Sequence, residues 1–522
     1  MARRSGRHSR RIKRFTPRRW LPFVLLITVV AGGVFVQQQN DEANPVSPII
    51  LSAATRVPVA AEADALSTAW YCAGGTSSGD GAAELTVVIA NASERGASAE
   101  VSAVSDDGRR RRSTLSVPAN GRTRVVARDL IDADWVGLTI EVFGGRATVE
   151  REVSGPAGID ASPCSTSAAT SWFVPSGSTV REAKYYLTLF NPFPDATSVD
   201  VTFATDDGPK NPRSLRGLAI PARSLRVVAV GDSLPARKEI AAKVTARTGR
   251  IVVDRVQIYT GKGDSVAAGT DGVASPAPQG LASTAAIPAA SVRWRFPDAQ
   301  KGPETRTQLA VFNPSRRLAR VDVSIAYEDP DRRTEVEPIQ LDVRAGEQTI
   351  LDLTNLAALA EGTPFSIDVR SIEQVPVTAE QLVFGSVSDA GEGTEAAPPV
   401  AGFTVVPGSP IAASSWFLAS RGQSTVRDAS VVVVNPGATA VTVTVESIVS
   451  GSRSKVADAT VRIPAGDRRV LDLASAPFNP ALVISADGPV VVGHSIVMTD
   501  GDGMSQSLAT PLPETIVELP ST

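Results

Sequence analysis

The two cysteines are the residues whose chemistry the sequence assigns most directly. Cys72 and Cys164 are the only cysteines among 522 residues, and neither belongs to a Cys-x-x-Cys pair. In an exported chain such a pair predicts a disulfide, whereas metal binding or redox catalysis would need further Cys or His ligands. The bridge would close a loop of roughly 90 residues and contribute on the order of 4 kcal/mol to the free energy of unfolding.

Histidine is too scarce to support the usual acid–base or metal chemistry. His8 belongs to a basic N-terminal segment, and His494 lies in an apolar run near the C-terminus. Without a second histidine in the exported part, neither a Ser–His–Asp triad nor a histidine-based zinc site can form. Arg255 and Glu380 stand at the positions that the sequence aligns with His494, so we expect an outward-facing polar position there. We therefore predict no catalytic residue, no metal site, no cofactor and no enzymatic activity.

Two pairs of carboxylates and two short motifs also resemble functional sites. Asp106-Asp107 and Asp206-Asp207 each precede Gly, a combination typical of hairpin turns, and adjacent carboxylates diverge too far to flank one bond. The Asp-Gly-Asp-Gly segment at 500–503 resembles the start of a calcium loop but lacks the downstream ligands and the terminal Glu. The Leu-Pro-Glu-Thr segment at 512–515 resembles a sortase signal, yet Ile516 follows where Gly is expected. We assign no function to these segments.

Tryptophan and asparagine recur with a common period that marks an internal repeat. The tryptophans are separated by 102, 122 and 122 residues and the asparagines by 100, 122 and 122. We name the four units copies 1 to 4, and their signature residues in that order are Trp70, Trp172, Trp294 and Trp416, then Asn91, Asn191, Asn313 and Asn435. Two spacings that agree this closely indicate one module copied four times.

The sequence predicts a structural role for each signature residue. Each Trp stands in the first strand of its copy, where packing in the core is expected, although an exposed indole could instead stack on a sugar ring. Each Asn ends an apolar run and in copies 2 to 4 precedes Pro, which stops a strand because it cannot donate to a ladder. The Asn side chain is then expected to bond to backbone groups of the turn.

Strand-like runs and turn signals predict an all-β fold. About seven short runs per copy are typical of an immunoglobulin-like sandwich of two antiparallel sheets. The predicted units are copy 1 at 67–164, copy 2 at 168–261, copy 3 at 291–385 and copy 4 at 413–511, with linkers at 262–290 and 386–412 and a tail at 512–522. The alternative is a β-propeller of four-stranded blades, but propeller repeats are about 40–50 residues long. We therefore expect separate sandwiches that are joined flexibly.

The N-terminus predicts a membrane anchor. Residues 1–19 form a basic tail with nine Arg and Lys side chains and no acidic one, and residues 20–36 form an uncharged, mostly apolar run. This order keeps the N-terminus in the cytoplasm and places the remainder beyond the cytoplasmic membrane. We expect an uncleaved, single-pass anchor because no small-x-small cleavage site follows the run, with a cleaved signal peptide and secretion as the alternative. Residues 37–66 are predicted to form a flexible stalk.

The distribution of charge excludes one class of partner. The chain has a formal net charge of −3, so removing the nine positive charges of the tail leaves −12 for the remainder. A mildly acidic exported part argues against nucleic-acid binding, which normally uses a basic face. The excess of Arg over Lys, 44 against 8, is typical of a GC-rich bacterial genome.

Several of these features together resemble a known family. The basic N-terminus, the single apolar segment, the Trp70-x-Cys72 motif and the recurring strand-Asn-Pro-strand pattern are similar to a family of uncharacterised, membrane-anchored or secreted actinobacterial proteins, a domain of unknown function. The resemblance covers most of the exported region and implies a cell-envelope location without enzymatic activity. It assigns no functional residues. Copy 1 departs from the pattern, because Ala92 follows Asn91 where the other copies have Pro.

Two functions are compatible with the sequence. The first is a non-catalytic envelope protein whose tandem modules dock another envelope protein, for example in glycan assembly or export, and repetition without a recurring polar constellation favours it. The second is a cell-wall glycan-binding protein that uses exposed aromatic side chains. An enzyme would require a cluster of acids with perturbed pKa values in a cleft between modules.

Overall fold

The computed structural model of the protein consists almost entirely of β-strands. It describes residues 53, 55–263, 277–302, 305–328, 336–385, 401–420, 426–449, 451–473, 476, 480–498 and 503–519. Residues 52–522 form one compact unit. The predicted basic tail and anchor lie outside the described residues. Within the described ranges, no helix combines the length and the apolar character needed to cross a membrane.

Copies 1 and 2 are built from short antiparallel strands with one helical turn each. Copy 1 comprises β1 (Thr68–Cys72), β2 (Glu84–Asn91), β3 (Ala97–Ser105), β4 (Arg110–Val117), β5 (Gly121–Val126), α1 (Ala127–Leu130), β6 (Val136–Phe143), β7 (Ala147–Gly155) and β8 (Gly158–Pro163). Copy 2 comprises β9 (Ser171–Val174), β10 (Ala183–Asn191), β11 (Thr197–Thr205), β12 (Gly208–Lys210), a 3-10 turn (Arg213–Leu215), β13 (Leu218–Ile220), β14 (Ser224–Ala229), α2 (Val230–Ser233), β15 (Ile240–Thr248), β16 (Val252–Thr260) and β17 (Gln279–Ala285).

Copies 3 and 4 repeat this order of elements. Copy 3 comprises β18 (Arg293–Ala299), β19 (Thr305–Phe312), β20 (Ala319–Tyr327), β21 (Ile339–Val343), β22 (Gln348–Asp352), β23 (Phe365–Ser371), β24 (Thr378–Gly385) and β25 (Gly402–Pro407). Copy 4 comprises β26 (Ile411–Leu418), β27 (Val426–Val434), β28 (Val441–Val449), β29 (Ser452–Lys455), β30 (Val461–Ile463), β31 (Arg468–Val470), β32 (Ala481–Met498), β33 (Met504–Leu508), β34 (Thr510–Pro511), a 3-10 turn (Pro513–Thr515) and β35 (Ile516–Glu518).

Each of the first three copies folds into two antiparallel sheets. The Trp sheet contains the strand with the signature Trp, in the orders β1-β6-β3-β4, β9-β15-β11-β12 and β18-β23-β20-β21. The Asn sheet contains the strand that leads to the signature Asn, in the orders β5-β2-β7-β8, β14-β10-β16-β17 and β22-β19-β24-β25. In copy 4, the long strand β32 pairs with β26 and β28 and also with β27 and β33, so it belongs to both sheets.

Apolar side chains from both sheets fill the space between them. In copy 1, Trp70, Val101 and Ile140 of the Trp sheet and Val87 and Val149 of the Asn sheet belong to one cluster and are fully buried. The alternation of buried and partly exposed residues along strands such as β3 follows from this, because successive side chains point to opposite faces of a sheet. The fold is therefore all-β and sandwich-like, as the sequence predicts, and no sheet closes on itself.

Two strands occupy segments that the sequence analysis assigned to linkers. β17 lies within 262–290 and β25 within 386–412, so the linker predictions are wrong for these residues. Their small side chains resemble a linker in composition, but the fold needs them for close packing. At Gly280, where φ is +154°, an added Cβ would lie 2.2 Å from the backbone nitrogen of Phe403 in copy 3.

The last strands of the four copies pack around a common axis. β8 contacts β17, β17 contacts β25, β25 contacts β33, and β33 contacts β8. The four copies therefore form a ring, and the contacts within it are continuous. This arrangement differs from flexibly joined sandwiches, and it differs from a propeller with one sheet per blade because each copy contributes two sheets.

Parts of the predicted stalk and tail are also ordered against the ring. Val59 and Ala60 are 6% and 3% exposed, and the Ala60 N–H donates to the carbonyl of Pro511 at 3.1 Å. Beyond Leu512, the 3-10 turn and β35 continue the chain, and β35 pairs with β26. The stalk prediction is therefore wrong for residues 55–66, and the tail is structured up to its last strand, because both segments bury apolar side chains.

Candidate functional site

Two neighbouring positions on one strand of each Asn sheet supply most of the charged groups between copies. Each position is defined by the residue that lies opposite it on the neighbouring strand, the one that leads to the signature Asn. The first position holds Glu150, Asp254, Glu380 and Gly493, and the second holds Arg151, Arg255, Gln381 and His494. His494 therefore aligns with Gln381 and not with Glu380. It is 4% exposed, so the expectation of an outward-facing polar position is wrong: the neighbouring copy covers this part of the strand.

The junction between copies 1 and 2 contains a fully buried ion pair. Arg151 of copy 1 pairs with Asp254 of copy 2, and neither side chain is exposed to solvent. The same Asp254 oxygen accepts a hydrogen bond from the Ala73 N–H at 2.6 Å. A buried carboxylate needs such compensation, because removing a charge from water costs several kcal/mol. These bonds therefore hold the strand of copy 2 against copy 1.

The junction between copies 2 and 3 repeats this arrangement. Arg255 Nη1 of copy 2 lies 2.9 Å from Glu380 Oε2 of copy 3, and the two side chains are 1% and 0% exposed. The Ser176 hydroxyl donates to the same Glu380 oxygen at 2.8 Å. Arg255 Nη2 donates to the Thr284 hydroxyl oxygen at 2.6 Å, which places the guanidinium beside the last strand of its own copy.

The junction between copies 3 and 4 uses a different arginine. Arg468 lies on β31 and is 1% exposed; its Nη2 is 2.9 Å from Asp298 Oδ1, and its Nη1 is 2.6 Å from Glu328 Oε2. Burial raises the pKa of Asp298, and the Arg468 charge acts in the opposite direction. Gln381 replaces the repeating arginine here and donates to the carbonyl of Asp298 at 2.8 Å.

The junction between copies 4 and 1 contains buried carboxyls without an arginine partner among the described residues. Glu150 Oε1 accepts the Ala419 N–H at 2.7 Å, and Asp160 Oδ1 accepts the Ser505 hydroxyl at 2.7 Å. Burial raises the pKa of Glu150 to about 8, and burial raises the pKa of Asp160 to about 6. A cavity of about 140 Å³ adjoins Asp160 at this junction. These carboxyls could exchange protons near neutral pH, but each one accepts hydrogen bonds that join the copies.

A second cavity lies on the axis, where all four last strands end. It has a volume of about 80 Å³, and its lining includes Ser162, Thr284, Val405 and Ser507, one residue from each copy, together with Arg56 of the N-terminal segment. The Ser162 hydroxyl donates to the carbonyl of Ser283 at 2.9 Å, so its proton is directed at a backbone acceptor and not at a side-chain base. The cavity could hold a few water molecules or one small apolar group.

The disulfide prediction is confirmed. Cys72 and Cys164 are bonded, with their Cα atoms 5.0 Å apart. Cys72 ends the first strand of copy 1 and Cys164 directly follows its last strand, so the bridge ties the beginning of this copy to the strand on the axis. Among the described residues no group of three or more His, Cys, Asp and Glu side chains is arranged to bind a metal ion.

The four signature tryptophans lie in the cores of their copies. Each is at most 1% exposed. Three of them donate their indole N–H to the carbonyl of the residue that stands opposite the signature Asn: Trp172 to Ile251 at 2.9 Å, Trp294 to Val377 at 2.8 Å and Trp416 to Val490 at 3.0 Å. These rings therefore connect the two sheets and are buried in the protein, where Trp294 and Trp416 also line the axial cavity.

The four signature asparagines are buried and make closely similar hydrogen bonds in every copy. In copy 3, Asn313 Nδ2 donates to the carbonyls of Arg317 at 2.7 Å and Val343 at 2.9 Å, and Oδ1 accepts the Ser315 N–H at 3.0 Å. In the other copies the Asn likewise donates to the carbonyl four residues later and accepts the N–H two residues later, and its Nδ2 also donates to the carbonyl of Pro118, Pro221 or Pro464, one residue beyond the equivalent of Val343. Each Asn thus connects the turn that follows its strand with a second turn about 30 residues later.

The remaining motifs have structural places or lie outside the described residues. The two Asp-Asp-Gly segments form the turns after β3 and β11, where Asp107 bonds to Arg109 and Asp207 to Lys210. The Asp-Gly-Asp part of the segment at 500–503 is outside the described residues. Leu512 donates its N–H to the carbonyl of Ser415 at 2.9 Å, so the segment that resembles a sortase signal is packed against copy 4.

Sequence reasoning missed the charged residues at the junctions. Arg151, Asp254, Arg255 and Glu380 stand in strands that contain several Val and other apolar residues, and charges in such strands were the available signal. The sequence alignment used for His494 was one residue out of register at Glu380, which concealed the recurring acid–arginine positions. Counting from the signature Asn through the strand pairing places them in register.

Residues 142–397 match a family of unknown function, DUF5719. The matched span begins near the end of copy 1, includes copy 2 and the part of copy 3 up to β24, and covers slightly less than half of the chain. It agrees with the resemblance to an uncharacterised family. No curated protein matches the chain.

Three solved structures share limited similarity with the chain. The chain is 18% identical to Thermotoga maritima 1070, covering 23% of this chain and 93% of that one, with a TM-score of 0.18. It is 21% identical to the Anabaena sensory rhodopsin transducer, covering 17% and 96%, with a TM-score of 0.15. It is 11% identical to a tetra-tandem repeat in the extending region of a large adhesion protein, covering 87% and 100%, with a TM-score of 0.10. TM-scores this low do not establish a common fold.

Proposed function

We propose that this protein is a non-catalytic, membrane-anchored component of the cell envelope whose exported ring docks another envelope protein. The observation that supports the proposal is that the buried charged groups serve to join the copies. Arg151, Asp254, Arg255 and Glu380 all bond across junctions. A ring held in this way offers preorganised surfaces, and preorganisation lowers the free energy lost when a partner binds. The docked protein would act in envelope glycan assembly or export.

The same proposal includes the membrane anchor, the type of module and the origin of the chain. Residues 20–36 anchor the chain in the cytoplasmic membrane with the N-terminus in the cytoplasm, and cleavage with secretion is the alternative. Each copy is an immunoglobulin-like sandwich with an additional last strand on the axis, and the chain is of actinobacterial origin. The support for the anchor is the basic flank followed by an uncharged run.

An enzymatic role is not part of the proposal. The acids with raised pKa values, Glu150 and Asp160, are the groups that could suggest one. Glu150 accepts a backbone N–H of copy 4, and the two oxygens of Asp160 accept bonds from copies 2 and 4. Their hydrogen-bonding capacity is thus engaged in joining three copies. A general acid must instead reach the atom of the substrate that it protonates.

Recovery of partners from envelope fractions tests the proposal. The full-length protein, solubilised in detergent, would be immobilised and incubated with membrane extracts, and in parallel with purified peptidoglycan and wall polysaccharide. We expect capture of a defined envelope protein and no retention on either glycan. A control bait with Arg255→Met, which loosens one junction, should capture less of the same protein. Retention on glycan without any captured protein would contradict docking and favour the glycan-binding alternative. In that case the binding aromatics would not be the buried signature tryptophans.

A further inference from the structure

The edge strand β4 of copy 1 has an unusual combination of length and exposure. It is the last strand of the sheet β1-β6-β3-β4 and pairs with β3 alone. In an antiparallel sheet, every second residue of such a strand directs its N–H and C=O away from the sheet. Eight residues, Arg110–Val117, form this edge. It is therefore long enough to accept a further strand.

The equivalent edges of the other copies are short. In copy 2 the edge is divided into β12, with three residues, and β13, with three residues. In copy 4 it is divided into β29, with four residues, and β30, with three. The described edge of copy 3 is β21, with five residues. Short edge strands are a common protection against unwanted pairing, so copy 1 is the copy in which this protection is absent.

The exposed start of β4 has a local excess of positive charge. Arg109 and Arg112 have carboxylate partners, Asp107 at 2.6 Å and Glu100 at 3.3 Å. Arg110 donates to the carbonyl of Ala222 in copy 2 at 3.2 Å, and Arg111 donates to the carbonyl of Arg110 at 2.9 Å. Both side chains are exposed, and within the described residues neither has a carboxylate at ion-pair distance. The equivalent strand of copy 2 has one cation, Lys210, which Asp207 neutralises at 2.9 Å.

The positive charges on β4 restrict which kind of strand could pair with this edge. A second copy of this chain would pair antiparallel and set the arginine end of one β4 against the uncharged Leu-Ser-Val end of the other, so it would leave these charges without partners. Charged side chains on an edge also serve simply to prevent aggregation. That role alone would be served by charges of either sign. Here two uncompensated cations stand on a ring whose exported sequence is acidic overall, so the charge complement of this edge is an acidic strand.

We propose that β4 docks an extended acidic segment of a partner protein, which adds a strand to the Trp sheet of copy 1. The backbone of the segment pairs with the open edge, and its carboxylates lie against Arg110 and Arg111. This inference rests on the proposed docking function and identifies both the site and the chemistry of the partner. Successive side chains of a strand point to opposite faces, so Arg110 and Arg111 lie on opposite faces of β4, and a segment with two adjacent acids beside them fits best.

A ten-residue peptide of Val and Thr with two adjacent Glu residues tests the site on the full-length protein in detergent. We expect the peptide to bind and the backbone amides of Arg110–Val117 to become protected from hydrogen exchange. Arg110→Glu with Arg111→Glu should weaken binding at least tenfold. The matched control is Arg316→Glu with Arg317→Glu, which reverses two adjacent exposed arginines in copy 3 and should leave binding within twofold. Thermal melts of both variants show whether the ring is intact.

A second peptide separates strand addition from simple charge attraction. It has the same sequence with N-methyl groups on alternate backbone nitrogens, so its charge is unchanged but it cannot pair with an edge. We expect at least tenfold weaker binding. Equal binding of both peptides would overturn the proposal and indicate a site for any polyanion. Binding of anionic phospholipid vesicles that depends on Arg110 and Arg111 would overturn it in favour of a lipid surface.

The same variants distinguish failure of this site from failure of the docking function. If Arg110→Glu with Arg111→Glu still captures the partner that the unaltered protein recovers from envelope extracts, docking stands and the β4 site is wrong. If the unaltered protein captures no partner, the docking function itself is wrong. Loss of capture in this variant, with capture retained by the copy 3 control, supports both.

Discussion

The buried pair between copies 2 and 3 offers the sharpest test of how the ring is held together. Arg255→Met removes the guanidinium and leaves the Glu380 carboxyl 0% exposed and without its cation. Breaking a buried pair from one side typically costs about 3–5 kcal/mol, because the remaining charge has lost its compensation. Ser176 continues to donate to Glu380, so we expect a loss near 3 kcal/mol in the free energy of unfolding.

Chemical denaturation followed by circular dichroism measures this loss, and hydrogen exchange in β16 and β24 locates it. The second step replaces the other partner as well. Arg255→Met with Glu380→Leu should recover most of the lost stability, because apolar groups of similar volume substitute well for a buried pair. The matched control is Arg247→Met in the same copy, whose partner Asp200 lies 2.7 Å away at an exposed position. It should leave the denaturation midpoint unchanged.

Two results would refute the reasoning. The first is an Arg255→Met protein with the same midpoint as Arg247→Met, which would mean that the junction adds nothing to stability. The second is a double variant that is less stable than the single one, since Glu380 would then contribute independently of its arginine. Cooperative unfolding must be verified first, because a ring of four copies can unfold in steps.

Three further predictions concern other parts of the ring. Burial raises the pKa of Glu150 to about 8 from a usual value of 4.5, so between these pH values the folded ring binds more protons than the unfolded chain. The free energy of unfolding should therefore fall as pH rises through that window, by at most about 5 kcal/mol. Glu150→Gln should flatten this dependence when denaturation is measured at pH 5 and pH 8. Asn313→Ala removes the three hydrogen bonds of this side chain and should cost about 2–4 kcal/mol. Asn313→Asp keeps the acceptor but turns a carboxylate oxygen toward the two carbonyls that Nδ2 bonds, so it should cost at least as much in the same assay at neutral pH. In a chain of residues 37–522, acrylamide should quench mainly the fluorescence of Trp135, which is partly exposed. Trp135→Phe should therefore remove most of the quenchable fluorescence. Strong quenching that remains in this variant would contradict the burial of the signature tryptophans.

Features that depend on neighbouring residues could be predicted from the sequence. The Asn-Pro turns follow from the backbone preferences of the two residues, and the bonds of Asn313 connect groups in adjacent turns. The disulfide followed from the absence of any competing cysteine. The all-β class followed from short alternating runs. Each of these conclusions needed only local spacing or a count.

Features that depend on contacts between copies could not be predicted in this way. Arg255 and Glu380 are 125 residues apart, and no local pattern connects them. The last strands of copies 2 and 3 were assigned to linkers; Gln279–Ala285, for example, consists largely of small residues, which are common in linkers too. Here small side chains are required by the close approach of neighbouring copies around the axis, as Gly280 shows. The missed charged pair and the wrong linker predictions both concern contacts that exist only in the ring.

The contact between copies 4 and 1 also determines the order in which the protein can be completed. Thr148 and Thr510 share a hydrogen bond although 362 residues separate them. A ribosome adds about 5–20 residues per second, so this face of copy 1 is made roughly 20–70 s before its counterpart exists. During that interval Glu150 is hydrated and ionised at neutral pH, and its desolvation is postponed until copy 4 arrives. Closure of the ring is then the last step of folding and includes proton uptake by Glu150, so it should become slower as the medium becomes more alkaline.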